Sequence, residues 1–126
     1  MKVTLENLAQ ATEQQIFDQV ATHLLTQKKQ SATVTGGCKY RHNGLMCAAG
    51  CLIADDEYRE SLENSSWLKL SNAGQVPEAH KGFIHSLQRI HDSKFSSNWF
   101  HCLEQLAIAH KLSFDTAKYK SLQEGV

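Results

Sequence analysis

CKYRHNGLMCAAGCLI, residues 38–53, holds three of the four cysteines of a 126-residue chain together with its strongest turn signal. Asn43-Gly44 is the dipeptide favoured by a two-residue type I′ hairpin, because both central residues must take positive φ. With that pair at the turn, His42 faces Leu45, Arg41 faces Met46, Tyr40 faces Cys47 and Cys38 faces Ala49, which predicts a hairpin over residues 38–48. The pleat then puts Cys38, Tyr40, His42, Leu45 and Cys47 on one face, and Lys39, Arg41 and Met46 on the other.

Upstream, the period changes from two to that of a helix. Thr12 followed by Gln15 has the form of a capping box, and Ile16, Phe17, Val20, Leu24 and Leu25 recur at spacings of three and four, predicting a helix from Thr12 to Lys29. SATVTGG, residues 31–37, is a loop of small and β-branched residues ending in a glycine pair. Downstream, CAAGCLIADDEYRESLEN reads as helix-like with a charged, solvated end, and Trp67, Leu68 and Leu70 form a short apolar patch.

Pro77 suits the first turn of a further helix, in which Phe83, Ile84, Leu87 and Ile90 mark one face as far as Asp92. Ser96 or Ser97 can cap the next, where Trp99, Phe100, Leu103, Leu106, Ala107 and Ala109 make a wide apolar surface to Leu112. The two read as an antiparallel pair joined by SKFSS. Phe114 and Tyr119 sit in a last short helix, and QEGV reads as frayed. The fold class expected is mainly α (α+β), a small helical bundle with one β-hairpin, as one domain over residues 1–126.

Thirteen basic and thirteen acidic residues give a formal net charge of zero. Neither the positive field that non-specific nucleic-acid binding relies on nor a negative field imitating DNA is present, so charge does not favour a nucleic-acid partner. MKVTLENLAQATEQQ has no apolar run after its lysine and no window approaches the length of a membrane span, which predicts a cytoplasmic protein without a membrane partner. In that compartment the cysteines are expected to be reduced.

The cysteine-rich stretch admits several chemistries. Cys38, His42, Cys47 and Cys51 are a candidate zinc set, yet C-x3-H-x4-C-x3-C lacks the C-x2-C knuckle that grips most structural zinc ions. A Cys38–Cys47 disulfide is disfavoured by the compartment. A Cys47 nucleophile with His42 as base lacks a third, orienting residue and an oxyanion signal. Packing of the thiols as small hydrophobes in the core carries the most weight, and no cofactor is then needed.

Elsewhere the residues read mostly as structure. Asp55, Asp56 and Glu57 form an acidic run expected at a helix start, with Asp55 the one candidate for a role beyond it. His85 and His91, six apart, cannot share a ligand face, and they read as surface or satisfied half-buried histidines, as do His101 and His110. Trp99 belongs to an apolar stripe, whereas Trp67 fits a core anchor or an exposed binding anchor equally. Lys39 and Arg41 beside Tyr40 make too small a basic patch to argue for nucleic acid.

The run of Cys38, Tyr40, Arg41, Gly44, Cys47, Ala48, Gly50, Leu52, Ile53 and Asp55 resembles a family of small uncharacterised proteins of phages and prophages. LQRIHD, residues 87–92, and the tryptophan-bearing helix after it fit the same family, so the similarity spans most of the chain. The resemblance implies origin and carries over no activity or catalytic residue. Phage-borne proteins of this size include non-enzymatic inhibitors that bind a host protein, components of defence systems among them, which is an analogy of source. The expected function is therefore host-protein binding in the bacterial cytoplasm, with Tyr40, Arg41, Asp55 and Trp67 as partner-binding candidates. The rival readings are a zinc-supported nucleic-acid-binding module on Cys38, His42, Cys47 and Cys51, and a small enzyme using Cys47, His42 or Asp55.

Overall fold

A capping box starts the first helix. Thr12 accepts from the Gln15 backbone N–H, and the Gln15 side chain accepts from the Thr12 N–H in return, so two of the donors a helix start leaves free are satisfied. Helix α1 then runs Glu13–Gln27 and buries Ile16, Phe17, Val20, Ala21, Leu24 and Leu25, ending on Lys28 in the left-handed conformation. The computed structural model describes residues 2–35, 37–93 and 95–125. Gly36 of the predicted glycine pair, Lys94 of SKFSS and Val126 of the terminal QEGV lie outside the described residues.

The hairpin forms at the expected turn in the expected register. Strands β1 (Arg41–His42) and β2 (Leu45–Met46) pair antiparallel, Arg41 opposite Met46 and His42 opposite Leu45, with φ of 49° at Asn43 and 80° at Gly44. The Cys47 N–H donates to the Tyr40 carbonyl at 3.3 Å, carrying the pattern one residue further. There the ladder stops, and Cys38 instead forms a bridge with Ala32, folding residues 31–38 back on themselves.

The segment after the hairpin is not the helix its composition suggests. It holds two short 3-10 turns, Gly50–Leu52 and Glu60–Leu62, because its carboxylates hold other segments instead. Glu57 accepts the backbone N–H groups of Leu5, Glu6 and Ala54, each at 2.9 Å, and so clamps the N-terminal segment. The buried Glu63 accepts the Tyr40 and Arg41 N–H groups and, at 2.6 Å, the Tyr58 hydroxyl. Gly50 sits where a Cβ would run into the Tyr40 carbonyl.

Helix α2 (Trp67–Asn72) is capped by the Ser66 hydroxyl. Helix α3 (Lys81–Ser93) begins four residues after Pro77, because His80 takes a φ of 61° that no α-helix can continue through; the His80 carbonyl accepts the Ile84 N–H instead. A 3-10 turn over Ser96–Asn98 leads into α4 (Trp99–Ala109) with no side-chain cap, so neither Ser96 nor Ser97 performs the predicted role. Helix α5 (Thr116–Glu124) is capped by Asp115, and Phe114 lies before it, its ring against Phe17, Phe100 and Tyr119.

These elements make a mainly α fold with one β-hairpin. Helix α1 packs on α3, α4 and α5, α3 packs on α2 and α4, and one cluster of buried apolar residues runs through all five helices and the hairpin base. Among the described residues no helix is long and apolar enough to cross a membrane.

Candidate functional site

The C-terminal turn of α3 and the folded-back loop 31–38 meet at Cys38, His91 and Asp92, whose ligand-type atoms all lie within 4.8 Å of one another. His91 occupies the buried stripe of α3 one turn beyond Leu87 and is 0% exposed. Its ring stacks on Trp99, centroids 5.5 Å apart. The Ser31 backbone N–H donates to its Nε2 at 2.9 Å. A nitrogen that accepts carries no proton, so the proton is on Nδ1, which donates to Asp92 Oδ1 at 2.7 Å.

Asp92 gathers two further donors. Gln88 Nε2 lies 2.7 Å from the same oxygen, while Gln88 Oε1 accepts the Ala49 N–H. The Cys38 thiol hydrogen-bonds the carboxylate too, and burial, the Asp92 charge and that bond together push its pKa up to about 11. Gln30 Nε2 donates to the His91 and Asp92 carbonyls, tying the start of the loop to the helix end.

A cleft of about 240 Å³ opens beside this corner, walled by Cys38, Lys39 and Tyr40, by Glu63 and Trp67, and by His85, Arg89 and Asp92 of α3. Cys47 lies at its floor, 1% exposed, with its Sγ accepting the Gly50 N–H at 3.3 Å. Burial raises the Cys47 thiol pKa strongly, more than the Gly50 bond lowers it. Cys51 is buried beside it, its S–H donates to the Ala48 carbonyl at 3.1 Å, and burial pushes its pKa up to about 12.

The residues singled out in the sequence therefore separate. Cys38 and Cys47 border one cleft, and His42 borders another, at the hairpin tip with Arg41, Asn43, Asp55 and Tyr58. Two residues of ladder on each strand are too few to hold one pleated face, so His42 leaves the side that Cys38 and Cys47 share. Of the set Cys38, His42, Cys47 and Cys51, only Cys38 belongs to the group with ligand-type atoms in mutual reach among the described residues.

Of the partner-binding candidates, Trp67 is 1% exposed, with Tyr40 edge-on to it at 6.2 Å. The Tyr40 hydroxyl donates to the Ser65 carbonyl. Both rings are spent on the interior. Arg41 pairs with Asp55 at 2.6 Å, donates to the Ile53 carbonyl and lies over the Tyr58 ring. Asp55 is itself open to solvent, so that pair is worth little by itself.

Comparison of the chain with protein-family models, with curated proteins and with solved structures returns no match.

His91 and Asp92 are the residues that sequence reasoning missed. A signal was present: Ile84, Leu87 and His91 are spaced three and four apart, which puts the imidazole on the buried face of α3 and obliges it to find partners there. Chemically, the corner is a carboxylate held by three donors, with both imidazole nitrogens committed. The His91 lone pair that would serve as a base faces the Ser31 N–H, away from the Cys38 thiol's acceptor, Asp92.

Proposed function

We propose that the protein acts non-enzymatically by binding another protein, through the end of the molecule where loop 31–38 docks on the last turn of α3. The observation that carries this reading is the placement of two bare apolar side chains. Val34, at the tip of that loop, is fully exposed, and Phe95, just past α3, is 81% exposed. Isolated exposed apolar residues are ordinary, but Val34 stands on a loop anchored to the end of α3 by Gln30 and His91, and Phe95 follows that same helix end by two residues. A loop held in place before binding loses less entropy on docking.

The resemblance to phage and prophage proteins supports a host protein as the partner and the bacterial cytoplasm as the place, with inhibition of a defence component as the role that fits. The surface suits a partner with an apolar pocket for an aromatic anchor, since such anchors carry most interface energy. Balanced charge argues against nucleic acid in that place.

The test is affinity capture from host lysate with the parent protein and with a Val34→Asp, Phe95→Asp double variant whose melting temperature is unchanged. A partner retained by the parent and lost by the variant supports the reading. Equal capture by both, or no enrichment by the parent, overturns it.

A further inference from the structure

We propose that the corner formed by Cys38 and Asp92 binds a soft divalent cation, zinc or cadmium, through the Cys38 sulfur and the Asp92 carboxylate, with His91 holding the carboxylate in place from behind. This goes beyond protein binding and stands on different atoms from the Val34 and Phe95 surface.

Three features of the geometry point to it. First, the ligand-type atoms of Cys38, His91 and Asp92 already lie within 4.8 Å of one another, so an ion meets a formed site and not one that must be assembled. Second, the carboxylate is oriented before any ion arrives. His91 Nδ1 and Gln88 Nε2 both donate to Asp92 Oδ1 at 2.7 Å, an arrangement in which outer hydrogen bonds fix a ligand's direction. Third, the corner opens on the cleft of about 240 Å³, which gives the ion a route in and room for waters to complete its coordination.

The hydrogen bonds also decide the role of His91. Were Nδ1 a ligand, the neutral ring would carry its proton on Nε2, and that proton would face the Ser31 N–H across 2.9 Å. Two donors would oppose each other in a fully buried place. His91 therefore stays outside the coordination sphere and keeps Nδ1 protonated toward Asp92.

A thiolate with a carboxylate selects zinc or cadmium over magnesium and calcium, which take oxygen ligands alone. Binding is a substitution that balances: the Cys38 S–H bond breaks, its proton passes to buffer, and the sulfur electron pair forms the bond to the ion. Two protein ligands with waters make an exchangeable site, unlike the closed four-ligand sites that hold folds together.

The experiment is titration of the purified, chelator-treated chain with cobalt(II) and zinc(II), read by the thiolate-to-cobalt charge-transfer band and by calorimetry. One equivalent bound, with the band present, is expected. Cys38→Ser should abolish the band, and both Cys38→Ser and Asp92→Asn should weaken binding by more than the ~10–100-fold that loss of an outer-sphere contact costs. Cys51→Ser and Cys102→Ser should bind as the parent does. In nitrogen-15 spectra His91 Nδ1 should remain protonated in the zinc-loaded protein. Absence of a band in the parent, a band that survives Cys38→Ser, or a deprotonated, metal-bound Nδ1 would each overturn the assignment. Circular dichroism of each variant shows that it is folded before binding is compared.

Discussion

His91 accepts the Ser31 backbone N–H on Nε2 although the two residues are 60 positions apart, and this one bond decides which ring nitrogen carries the proton. It also makes His91 the post to which loop 31–38 is fastened. His91→Phe keeps a ring against Trp99 but leaves a buried N–H without an acceptor. The expected loss is about 1–3 kcal/mol, seen as a lower urea midpoint with the slope of the transition unchanged. Faster hydrogen exchange at Thr33 and Lys39, whose N–H groups close the loop, should accompany it. A midpoint equal to the parent's would mean the loop is held some other way.

Two glycines in the opening stretch should respond differently to side chains. Gly44 has a φ of 80° and open space around it, so Gly44→Val costs only conformational strain, about 1–3 kcal/mol. Gly50 has no room for a Cβ against the Tyr40 carbonyl, which belongs to the base of the hairpin. Gly50→Ala must push backbone apart, and it should destabilise the fold by more than Gly44→Val despite adding a smaller group. Melting curves of the two variants decide the order, and the reverse order would contradict the close approach at Gly50.

The hairpin and the first helix were legible because their signals are local. Asn43-Gly44 fixes a turn and thereby a register, and Thr12 with Gln15 closes a capping box within one turn. What could not be read was the use made of single polar residues by distant segments. Glu63 looks like one more acid in a charged run until the Tyr40 and Arg41 N–H groups arrive from 23 and 22 residues away. Such long-range bonds replaced the helix-like stretch expected from Cys47 onward, whereas α3 starts at Lys81 rather than at Pro77 for a local reason, the positive φ of His80. The candidate site suffered in the same way: Cys38 was visible as a possible ligand, but its neighbours Asp92 and His91 come from the distant helix α3 and leave no spacing motif.

Cys47 tests how far packing governs the thiols. Its sulfur lies in the core with the Gly50 N–H and the Gln88 side chain as polar contacts, so Cys47→Ala leaves a small cavity and removes a weak acceptor. The expected loss is about 1 kcal/mol. Cys47→Asp is close in size but places a carboxylate where the nearby Asp92 charge already opposes ionisation, and it should cost several times more or prevent folding at neutral pH. Denaturant titrations at neutral pH compare the two. Similar losses for both would show the position to be far wetter than its burial indicates.

His23 gives the fold a defined sensitivity to acid. Its Nε2 lies 2.8 Å from the Met46 carbonyl, which only accepts, so the ring donates there and ties α1 to the end of the hairpin. Burial holds the His23 pKa below its ordinary 6.5; the Met46 bond works in the opposite direction but is the smaller effect. The unfolded chain, with an unshifted imidazole, therefore binds a proton at a higher pH than the folded one does. Stability from this group is fully present above about pH 6.5 and is lost as pH falls from there through the lower folded value. His23→Gln keeps a donor for Met46 and removes the titration. In urea unfolding followed between pH 7.5 and pH 5, the parent should lose stability more steeply than the variant, and the two curves should run parallel above pH 7. Equal slopes through the acid range would show that His23 is protonated in the fold as readily as in the open chain, and that its burial is not maintained in solution.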